Sequence, residues 1–376
     1  MTRLNQPLHL KSLAVSNRIV RSATWEGLAA KDGAPTAALA AFLGRLVAGG
    51  AGLVITGFAF VHPSGRVAPQ MLGVESEQRV GDLRRLAEAL HHTGGKIAVQ
   101  LSHGGAEAKP TLTRGCPLMA PSVLEGMKYR RLVVEMTPGD VAGMVAAFAA
   151  AAHRVRTSGF DAVQIQASHG YLLSQFLSPR TNRRTDAYGG SIRNRSRFLF
   201  EVFEAVRGRV GNDFPVMVKV NASDFVDGGL EFKDALWVMT ELARLGADAV
   251  EVSGGVAASG DKGPMRTNIR AGVHEAYLAP FAKKVREVVA GVPVITVGGI
   301  RSYEVAAKLL ESAADMVALS RPLICEPDLP NRWLNGEAID SACISCNRCF
   351  LSGFKKGGVA CLKGLHSEED PWALSK

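Results

Sequence analysis

Short runs of apolar, often β-branched residues alternate along the chain with longer segments of helical periodicity. Runs such as VMVKV at 216–220 and VITV at 294–297 show no alternation of polar and apolar positions. That pattern is typical of parallel strands that are covered on both faces. Eight such runs are predicted to be strands, at residues 17–23, 52–57, 96–102, 161–166, 215–221, 248–253, 292–298 and 315–320.

The segments between the predicted strands read as helices, and some begin with recognisable capping residues. Thr137 and Asp140 precede an alanine-rich amphipathic run, and Ser302 precedes the segment after the seventh strand. Eight strand–helix units predict an α/β fold, the (β/α)8 or TIM barrel, over residues 1–335. A doubly wound open sheet is the competing architecture, but no Gly-x-Gly-x-x-Gly turn follows the first strand.

Long insertions follow predicted strand ends at residues 61–73, 104–135 and 174–191. In TIM barrels, the loops at the carboxyl ends of the strands build the active site. We therefore expect these three insertions to frame a functional site at one end of the barrel.

Composition and charge exclude several classes of protein. Of the 376 residues, 47% are hydrophobic and 21% are charged, which is typical of soluble globular proteins. The formal net charge is +9, but the densest basic segment, residues 180–197, is interleaved with Asp186, Tyr188 and glycines, as in a folded loop. Because small anionic ligands also suit a basic chain, we expect no nucleic-acid partner.

Targeting signals and cysteine usage indicate the compartment. The amino-terminal residues lack an apolar core of signal-peptide length, and the longest apolar run, residues 141–152, is too short to span a bilayer. Four of the six cysteines lie between Cys343 and Cys361. That crowding suits metal or cluster ligation better than a disulfide framework. We expect a cytoplasmic protein with no membrane partner.

Five short segments carry a specific family likeness. They are NRIVRSAT at 17–24, HGYLLSQFLS at 169–178, NRRTDAYGG at 182–190, GGIR at 298–301 and SRPLI at 320–324. Together they resemble signatures of the Old Yellow Enzyme family, in order along nearly the whole chain. The resemblance implies an oxidoreductase that binds flavin mononucleotide (FMN) at the mouth of the barrel.

A flavin phosphate requires backbone N–H groups and a cation, and glycines permit the close approach. Gly298 and Gly299 end the seventh predicted strand, and Ser320 and Arg321 end the eighth. Barrels commonly bind phosphate at the ends of their last two strands. We expect these four residues to hold the FMN phosphate.

The resemblance also assigns residues to the flavin ring. Gln100 occupies the family position whose amide holds the pyrimidine edge, and Lys219 stands where relatives often have arginine, a cation that favours the negative charge of reduced flavin. Trp25 replaces the Cys, Thr or His that relatives place near the flavin carbonyl O4, so it either tunes the flavin or shapes the substrate pocket. The other positions expected to contact the cofactor are Ser22, Ala23, Thr24 and Gly57.

Gln166, His169 and Tyr171 follow the fourth predicted strand and match the family's substrate-binding pair and proton donor. In this interpretation, His169 and Gln166 donate hydrogen bonds to a substrate carbonyl oxygen, and Tyr171 protonates the α-carbon. Many relatives have histidine at the position of Gln166. Glutamine still donates a hydrogen bond but cannot become charged. The alternatives are a core histidine tied to the backbone and a packing tyrosine.

The cysteines near the carboxyl end have the spacing of a cluster site. Cys343, Cys346 and Cys349 are each separated by two residues, and Cys361 follows at a distance. Three thiolates on a tight turn with a distant fourth suit a [4Fe-4S] cluster, as in relatives similar to 2,4-dienoyl-CoA reductase and trimethylamine dehydrogenase. Zinc held by four cysteines and a metal-free segment are the alternatives. We expect residues 336–376 to form this short cysteine-rich extension.

The resemblance implies an ene-reductase that uses NAD(P)H or another reductant, such as a ferredoxin-type donor, to reduce a small-molecule C=C bond conjugated to a carbonyl. An amine-type dehydrogenase of the same fold, and a flavin and iron–sulfur electron carrier without an organic substrate, are the alternatives. Larger relatives append nucleotide-binding domains after the cysteine segment, so a second flavin is not expected in a chain that ends at Lys376. An external electron donor and a homo-oligomer are further expectations from the family.

Overall fold

Parallel strands close into a barrel within residues 3–289 and 291–362, the part of the chain that the computed structural model describes. The strands in chain order are β1 (Leu8–Leu10), β2 (Leu13–Val15), β3 (Ile19–Arg21), β4 (Leu53–Ile55), β5 (Ala59–Phe60), β6 (Ile97–Ser102), β7 (Leu118–Ala120), β8 (Val133–Glu135), β9 (Ala162–Ala167), β10 (Val216–Asn221), β11 (Ala249–Ser253), β12 (Val294–Val297) and β13 (Met316–Leu319).

Helices connect the strands and cover the outside of the barrel. They are α1 (Ala37–Ala48), α2 (Val80–His91), α3 (Pro138–Thr157), α4 (Leu172–Leu177), α5 (Ile192–Arg195), α6 (Arg197–Val210), α7 (Phe232–Arg244), α8 (Ala279–Val288), α9 (Tyr303–Ser312), α10 (Arg321–Cys325), α11 (Leu329–Leu334) and α12 (Arg348–Ser352).

The order of strands around the cylinder is β3, β4, β6, β9, β10, β11, β12 and β13, and all of these pairings are parallel. Closure occurs where β13 pairs with β3 in the register Val317 to Ile19. Seven of the eight predicted runs contain one of these barrel strands, and the run at 161–166 overlaps β9, which ends one residue later. The predicted (β/α)8 barrel is therefore confirmed, and the open doubly wound sheet is excluded because its edge strands would remain unpaired.

The lower interior of the barrel is apolar. Its inward-facing residues form one buried cluster, which includes Val20, Leu53, Ile55, Ala98, Ala162, Met217, Ala249, Ile295, Met316 and Ala318. Residues of the antiparallel hairpin β1–β2 join this cluster. Next to the hairpin turn, Lys11 pairs with Asp248 at 3.3 Å, just before β11 begins. The hairpin therefore closes the amino-terminal end of the barrel and leaves the carboxyl end for a site.

The capping residues seen in the sequence do begin helices. The Thr137 hydroxyl accepts from the Asp140 N–H at 3.1 Å, and Asp140 Oδ2 accepts from the Thr137 N–H at 2.8 Å, which completes a capping box at the start of α3. Ser302 directly precedes α9, as predicted.

Two of the predicted insertions contain regular structure that the sequence pattern did not indicate. Within residues 104–135, β7 and β8 form a small parallel sheet around a cluster of Ala108, Leu118, Ala120 and Val133. Helix α4 overlaps the start of the third insertion. Strands of three residues are too short to show a period, and α4 is buried at every position, so neither carries an amphipathic signal.

The cysteine-bearing segment lies against the carboxyl end of the barrel. The Ser341 N–H donates to the Arg301 carbonyl at 2.7 Å, and the Val359 N–H donates to the Glu26 carbonyl at 2.7 Å. Residues 363–376 of the predicted extension lie outside the described residues, so its boundaries stay a prediction. Among the described helices, none combines the length and apolar character that crossing a membrane requires.

A buried ion pair ties the first two barrel strands to this segment. Arg21 Nη2 lies 3.0 Å from Glu26 Oε1, and their side chains are 1% and 6% exposed. Arg21 also donates to the carbonyls of Ile55 and Thr24, while Glu26 Oε1 accepts from the Gly57 N–H. Each charge therefore satisfies the other, together with main-chain groups of β4 and the loop after β3.

We expect Glu26→Ala to lower the free energy of unfolding by about 3–5 kcal/mol, because it leaves the Arg21 guanidinium buried without a counter-charge. Urea denaturation followed by circular dichroism measures this loss. Glu241→Ala is the matched control, since Glu241 pairs with Arg244, whose side chain is 69% exposed, and its loss should be under about 1 kcal/mol. Equal losses in the two variants would contradict the assignment.

Candidate active site

A cavity of about 450 Å³ opens at the carboxyl end of the barrel. Its size lies within the range of small-molecule and cofactor pockets. The sequence-predicted site residues that line it are Ser22, Ala23, Thr24, Trp25, Gln166, His169, Tyr171, Lys219, Gly298, Gly299, Ser320 and Arg321. The fold thus brings residues from the ends of β3, β9, β10, β12 and β13 into one space.

Two predicted cofactor residues do not line this cavity. The Gly57 N–H is used by Glu26, as described above. Gln100 is 1% exposed and donates from Nε2 to Gln164 Oε1 at 2.7 Å, inside the barrel. Their assignment to the flavin stays a prediction, and Gln100 would have to exchange its bond to Gln164 in order to reach a ligand.

A charged layer separates the apolar barrel interior from the cavity. Lys219 Nζ lies 2.8 Å from Glu251 Oε1 and 2.9 Å from the Ser22 hydroxyl. Gln164 Nε2 donates to the other Glu251 oxygen at 2.7 Å. Both members of the ion pair are at most 3% exposed, so low dielectric strengthens their attraction and makes each depend on the other.

The interior position of Lys219 follows from its flanking valines, but its partner was missed. Glu251 carries the same signal, since it stands between Val250 and Val252 on β11. A lone carboxylate on an inner strand requires a buried cation nearby. Applied to both strands, that rule would have predicted the pair.

His169 lies in a tight turn after β9. Its backbone has φ +65°, followed by Gly170 at φ +79°, and its N–H donates to Asn221 Oδ1 at 3.2 Å. The imidazole Nε2 is 2.7 Å from the Ser253 hydroxyl. Burial, with a smaller contribution from the Lys219 charge, holds the pKa of His169 well below its usual value. The ring is therefore neutral at physiological pH and offers one N–H.

Gln166 and Tyr171 complete the polar face of the cavity. The Gln166 side-chain oxygen is buried and has no hydrogen-bond partner among the described residues, so it is available to a ligand. Tyr171 packs edge-on against Phe58, with ring centroids 5.6 Å apart. Burial, and then the nearby Glu107, raise the pKa of Tyr171 above its usual value. Its hydroxyl therefore keeps its proton at neutral pH.

Two glycines shape another part of the cavity lining. Gly298 and Gly299 have φ of +129° and +75°, and a Cβ on either would lie within 3.1 Å of the Tyr277 ring. Arg321 Nη1 donates to the Arg266 carbonyl and to Asn347 Oδ1, each at 2.6 Å. Arg301 also lines this end. Left-handed backbone at two glycines and two nearby guanidinium groups form a suitable cradle for a phosphate.

The cysteine-bearing segment contributes an aromatic wall that the sequence did not indicate. Phe350 and Phe354 line the cavity, and Phe354 stacks on Trp25 with ring centroids 4.5 Å apart. Trp25 Nε1 donates to the Pro69 carbonyl at 3.0 Å, which fixes the indole. Phe354 belongs to a π-helical turn, Gly353–Gly357, a local geometry that is frequent at functional sites.

A buried histidine supports the loop beside Tyr171. His103 Nδ1 accepts from the Gly105 N–H at 3.1 Å, which leaves Nε2 to donate to the Ser64 hydroxyl at 2.8 Å. Its carbonyl accepts from the Leu172 N–H at the start of α4. Burial, and then His62, lower the pKa of His103 to about 3. His103 therefore acts as a neutral structural residue.

A second, smaller cavity of about 160 Å³ lies beside the phosphate cradle. The four cysteines that line it are Cys343, Cys346, Cys349 and Cys361. Cys361 Sγ lies 3.4 Å from Sγ of Cys325, a residue that the sequence left unassigned. Burial raises the pKa of Cys349 to about 11. Within the described ranges, no three His, Cys, Asp or Glu side chains are arranged to hold a single metal ion.

Comparison with known sequences places the geometry in context. The model of the NADH:flavin oxidoreductase / NADH oxidase family matches residues 3–338. A metal reductase from Desulforamulus reducens is 36% identical over 366 residues, which are 96% of this chain and 53% of that protein. An NADPH dehydrogenase from Bacillus subtilis is 34% identical over 328 residues, or 86% of this chain and 92% of that enzyme. The chain thus spans about half the length of the first relative.

Comparison with solved structures also finds oxidoreductases, among them an old yellow enzyme homologue. A 2-naphthoyl-CoA reductase in complex with 2-naphthoyl-CoA has a TM-score of 0.88 at 25% identity, covering 96% of this chain and 56% of that one. Histamine dehydrogenase from Rhizobium sp. 4-9 has a TM-score of 0.84 at 26% identity, with coverages of 95% and 51%. The old yellow enzyme homologue from Zymomonas mobilis has a TM-score of 0.76 at 25% identity, with coverages of 91% and 95%.

We expect His103→Gln to flatten the pH dependence of stability. Unfolded histidine has a pKa of about 6.5, whereas folded His103 titrates near 3. Only the unfolded state takes up this proton as pH falls through 6.5, so stability falls with it. Between about pH 7.5 and pH 5, His103 should lower the free energy of unfolding of the wild type by about 2 kcal/mol. The variant should not show this part of the decrease. Urea denaturation at both pH values measures it, and identical pH dependence would refute the assignment.

Proposed function

The chain belongs to the NADH:flavin oxidoreductase / NADH oxidase family, and from that membership we propose that it reduces C=C bonds conjugated to a carbonyl. The observation that carries the proposal is the convergence of Gln166, His169 and Tyr171 on the cavity that also holds Lys219 and the Gly298–Gly299 cradle. Hydrogen-bond donors, an acid, a buried cation and a phosphate cradle that line one cavity suit a flavin that works on a carbonyl compound.

The residues present fit FMN. The buried, unpartnered oxygen of Gln166 and the left-handed backbone of Gly298 and Gly299 are features that a ligand would satisfy. Gly298, Gly299, Ser320 and Arg321 would hold the phosphate. Lys219 would face the ring edge that becomes negative on reduction, although Glu251 already balances much of its charge. When bound, FMN supplies the hydride that reduces the β-carbon of the substrate.

His169 and Gln166 orient the substrate and stabilise its oxygen. As a neutral imidazole, His169 offers one N–H, and the Ser253 hydroxyl can donate to its Nε2 and so keep the proton on the other nitrogen. Gln166 adds an amide N–H. The two donors stabilise the enolate charge that develops on the carbonyl oxygen, and losing one such donor costs about 3 kcal/mol of transition-state stabilisation.

Tyr171 supplies the proton. Because burial keeps its pKa above the usual value, the hydroxyl stays protonated at neutral pH and yields its proton only to a strongly basic carbon. Phe58 holds the ring by its edge. Tyr171 therefore completes the reduction by protonating the α-carbon. NAD(P)H is the proposed reductant, as the names of the family and of the NADPH dehydrogenase relative suggest.

We further propose that Cys343, Cys346, Cys349 and Cys361 hold a [4Fe-4S] cluster. Support comes from their spacing and from their position around one cavity. A zinc ion is the alternative ligand for the same thiols. Since Arg321 lines both cavities, such a cluster would lie next to the flavin phosphate and could exchange electrons with an external donor.

Amine oxidation is the second candidate, because the TM-score to histamine dehydrogenase, 0.84, is close to the 0.88 to 2-naphthoyl-CoA reductase. The two reactions change the oxidation state of the flavin in opposite directions, so one experiment can separate them.

Anaerobic protein loaded with FMN is first reduced with NAD(P)H and mixed with a panel of conjugated enones. Oxidised protein is mixed with a panel of amines. Reoxidation with formation of saturated carbonyl product supports ene reduction. If amines reduce the flavin and no enone reacts, amine oxidation would replace ene reduction as the proposed function.

Tyr171→Phe should slow the oxidative half-reaction with enones about 100-fold or more, since the general acid is removed. Flavin reduction by NAD(P)H should be unaffected, because it needs no proton from Tyr171. Stopped-flow absorbance measures the two half-reactions separately. Tyr188→Phe is the matched control, since its hydroxyl contacts Glu201 outside the cavity. An equal slowing in both half-reactions would point to a distorted pocket rather than a lost acid.

Cys349→Ala should abolish the cluster and leave FMN binding intact. Iron, acid-labile sulfide, zinc and flavin are measured on anaerobically purified protein, with paramagnetic resonance after reduction. Cys116→Ala is the matched control, because Cys116 does not line the smaller cavity. Comparing Cys361→Ala with Cys325→Ala decides which of these touching thiols is the ligand. Stoichiometric zinc without sulfide in the wild type would establish the alternative site.

A further inference from the structure

Two lysines line the larger cavity on its solvent side. Lys109 and Lys128 both belong to the insertion of residues 104–135, and Lys109 is half-buried while Lys128 is exposed. Lys128 lies on the side of Tyr171, because the carboxylate of Glu107 acts electrostatically on both residues. The insertion therefore places positive charge at the entrance of the proposed substrate face.

These two ammonium groups differ from the other cations of the cavity. Lys219 is paired with Glu251, and Arg301 and Arg321 donate to main-chain carbonyls of the loops around them. In contrast, neither Lys109 nor Lys128 has a carboxylate within 4.0 Å in the part of the chain that the structure describes. The Glu107 carboxylate acts on Lys128 from longer range. Their charge remains largely available to a ligand.

Aromatic rings hold both ammonium groups at the entrance. Lys109 Nζ lies 5.0 Å from the centroid of Phe354, the ring that stacks on Trp25, and Lys128 Nζ lies 5.2 Å from the centroid of Tyr129. Cation–π contacts restrain a lysine without neutralising it. The two lysines are therefore restrained positive charges on the cavity lining, with Lys109 near the Trp25–Phe354 stack and Lys128 on the side of Tyr171.

We propose that Lys109 and Lys128 form a subsite for an anionic group, a carboxylate or a phosphate, on a ligand whose other end lies over the flavin. The inference rests on the proposed function and narrows it to carbonyl compounds with a charged tail. NAD(P)H is the proposed reductant of FMN in the same cavity, and its phosphates would be a second source of the same anionic chemistry. A neutral enone would bind the reaction site without using this subsite.

A binding experiment tests the subsite without turnover. Oxidised, FMN-loaded protein is titrated with 4-hydroxybenzoate, 4-hydroxyphenylacetate and 3-(4-hydroxyphenyl)propanoate, and with the methyl ester of each, while the flavin absorbance is followed. For a tail of the right length, the acid should bind more tightly than its ester, by about threefold for each lysine at low salt. Added salt should reduce the preference.

Lys109→Gln with Lys128→Gln should remove this preference and leave the Kd of the esters unchanged. Lys308→Gln, on the outer helix α9, is the matched control and should keep it. A second arm measures flavin reduction by NADPH and by NADH in the same variants. Loss of the acid preference alone assigns the anion to the substrate. Weaker NADPH or NADH binding alone assigns it to the reductant.

The failures of the two proposals are distinguishable. If the protein reduces a neutral enone but the double variant changes neither acid binding nor reduction by the dinucleotides, the subsite is refuted and the proposed function stands. If no enone is reduced but the lysines still govern binding of acids, the proposed function is wrong and the subsite stands.

Discussion

The ion pair between Lys219 and Glu251 is the interaction on which the site depends. Both charges lie inside the barrel, where water cannot solvate them, so each is stable only with the other and with Ser22 and Gln164 around them. Below this layer the interior is apolar and sealed by the β1–β2 hairpin. Above this layer the barrel opens into the cavity. The pair therefore lies between the apolar core of the barrel and the candidate active site.

Much of the fold could be predicted from sequence because parallel barrel strands are buried on both faces and therefore lack alternation. Lys219 lies between two valines on such a strand, and its side chain is buried. The strand pattern could not predict β7 and β8, because strands of three residues are too short to show a period. It also did not predict the contact of Gln100 with Gln164 on the neighbouring strand. Pairings across strands depend on register, which a single sequence does not reveal.

Part of the candidate site could also be predicted from the sequence, and part could not. Twelve named residues do line one cavity, because they follow strand ends that the barrel brings together. The aromatic wall of Phe350 and Phe354 was not foreseen, since it depends on where the cysteine-bearing segment folds back. Phe350 and Phe354 of that segment line the larger cavity, and its four cysteines line the smaller one. The described part of the predicted extension therefore contributes to both cavities.

The contact between Cys325 and Cys361 has a practical consequence. Two thiols 3.4 Å apart need only lose two electrons and two protons to become covalently joined. Such a bond would fasten the end of the cysteine segment to α10 and withdraw Cys361 from the smaller cavity. Crosslinking in air would thus be enough to remove one thiol of the proposed cluster site, and reducing agents during purification would decide which form is studied.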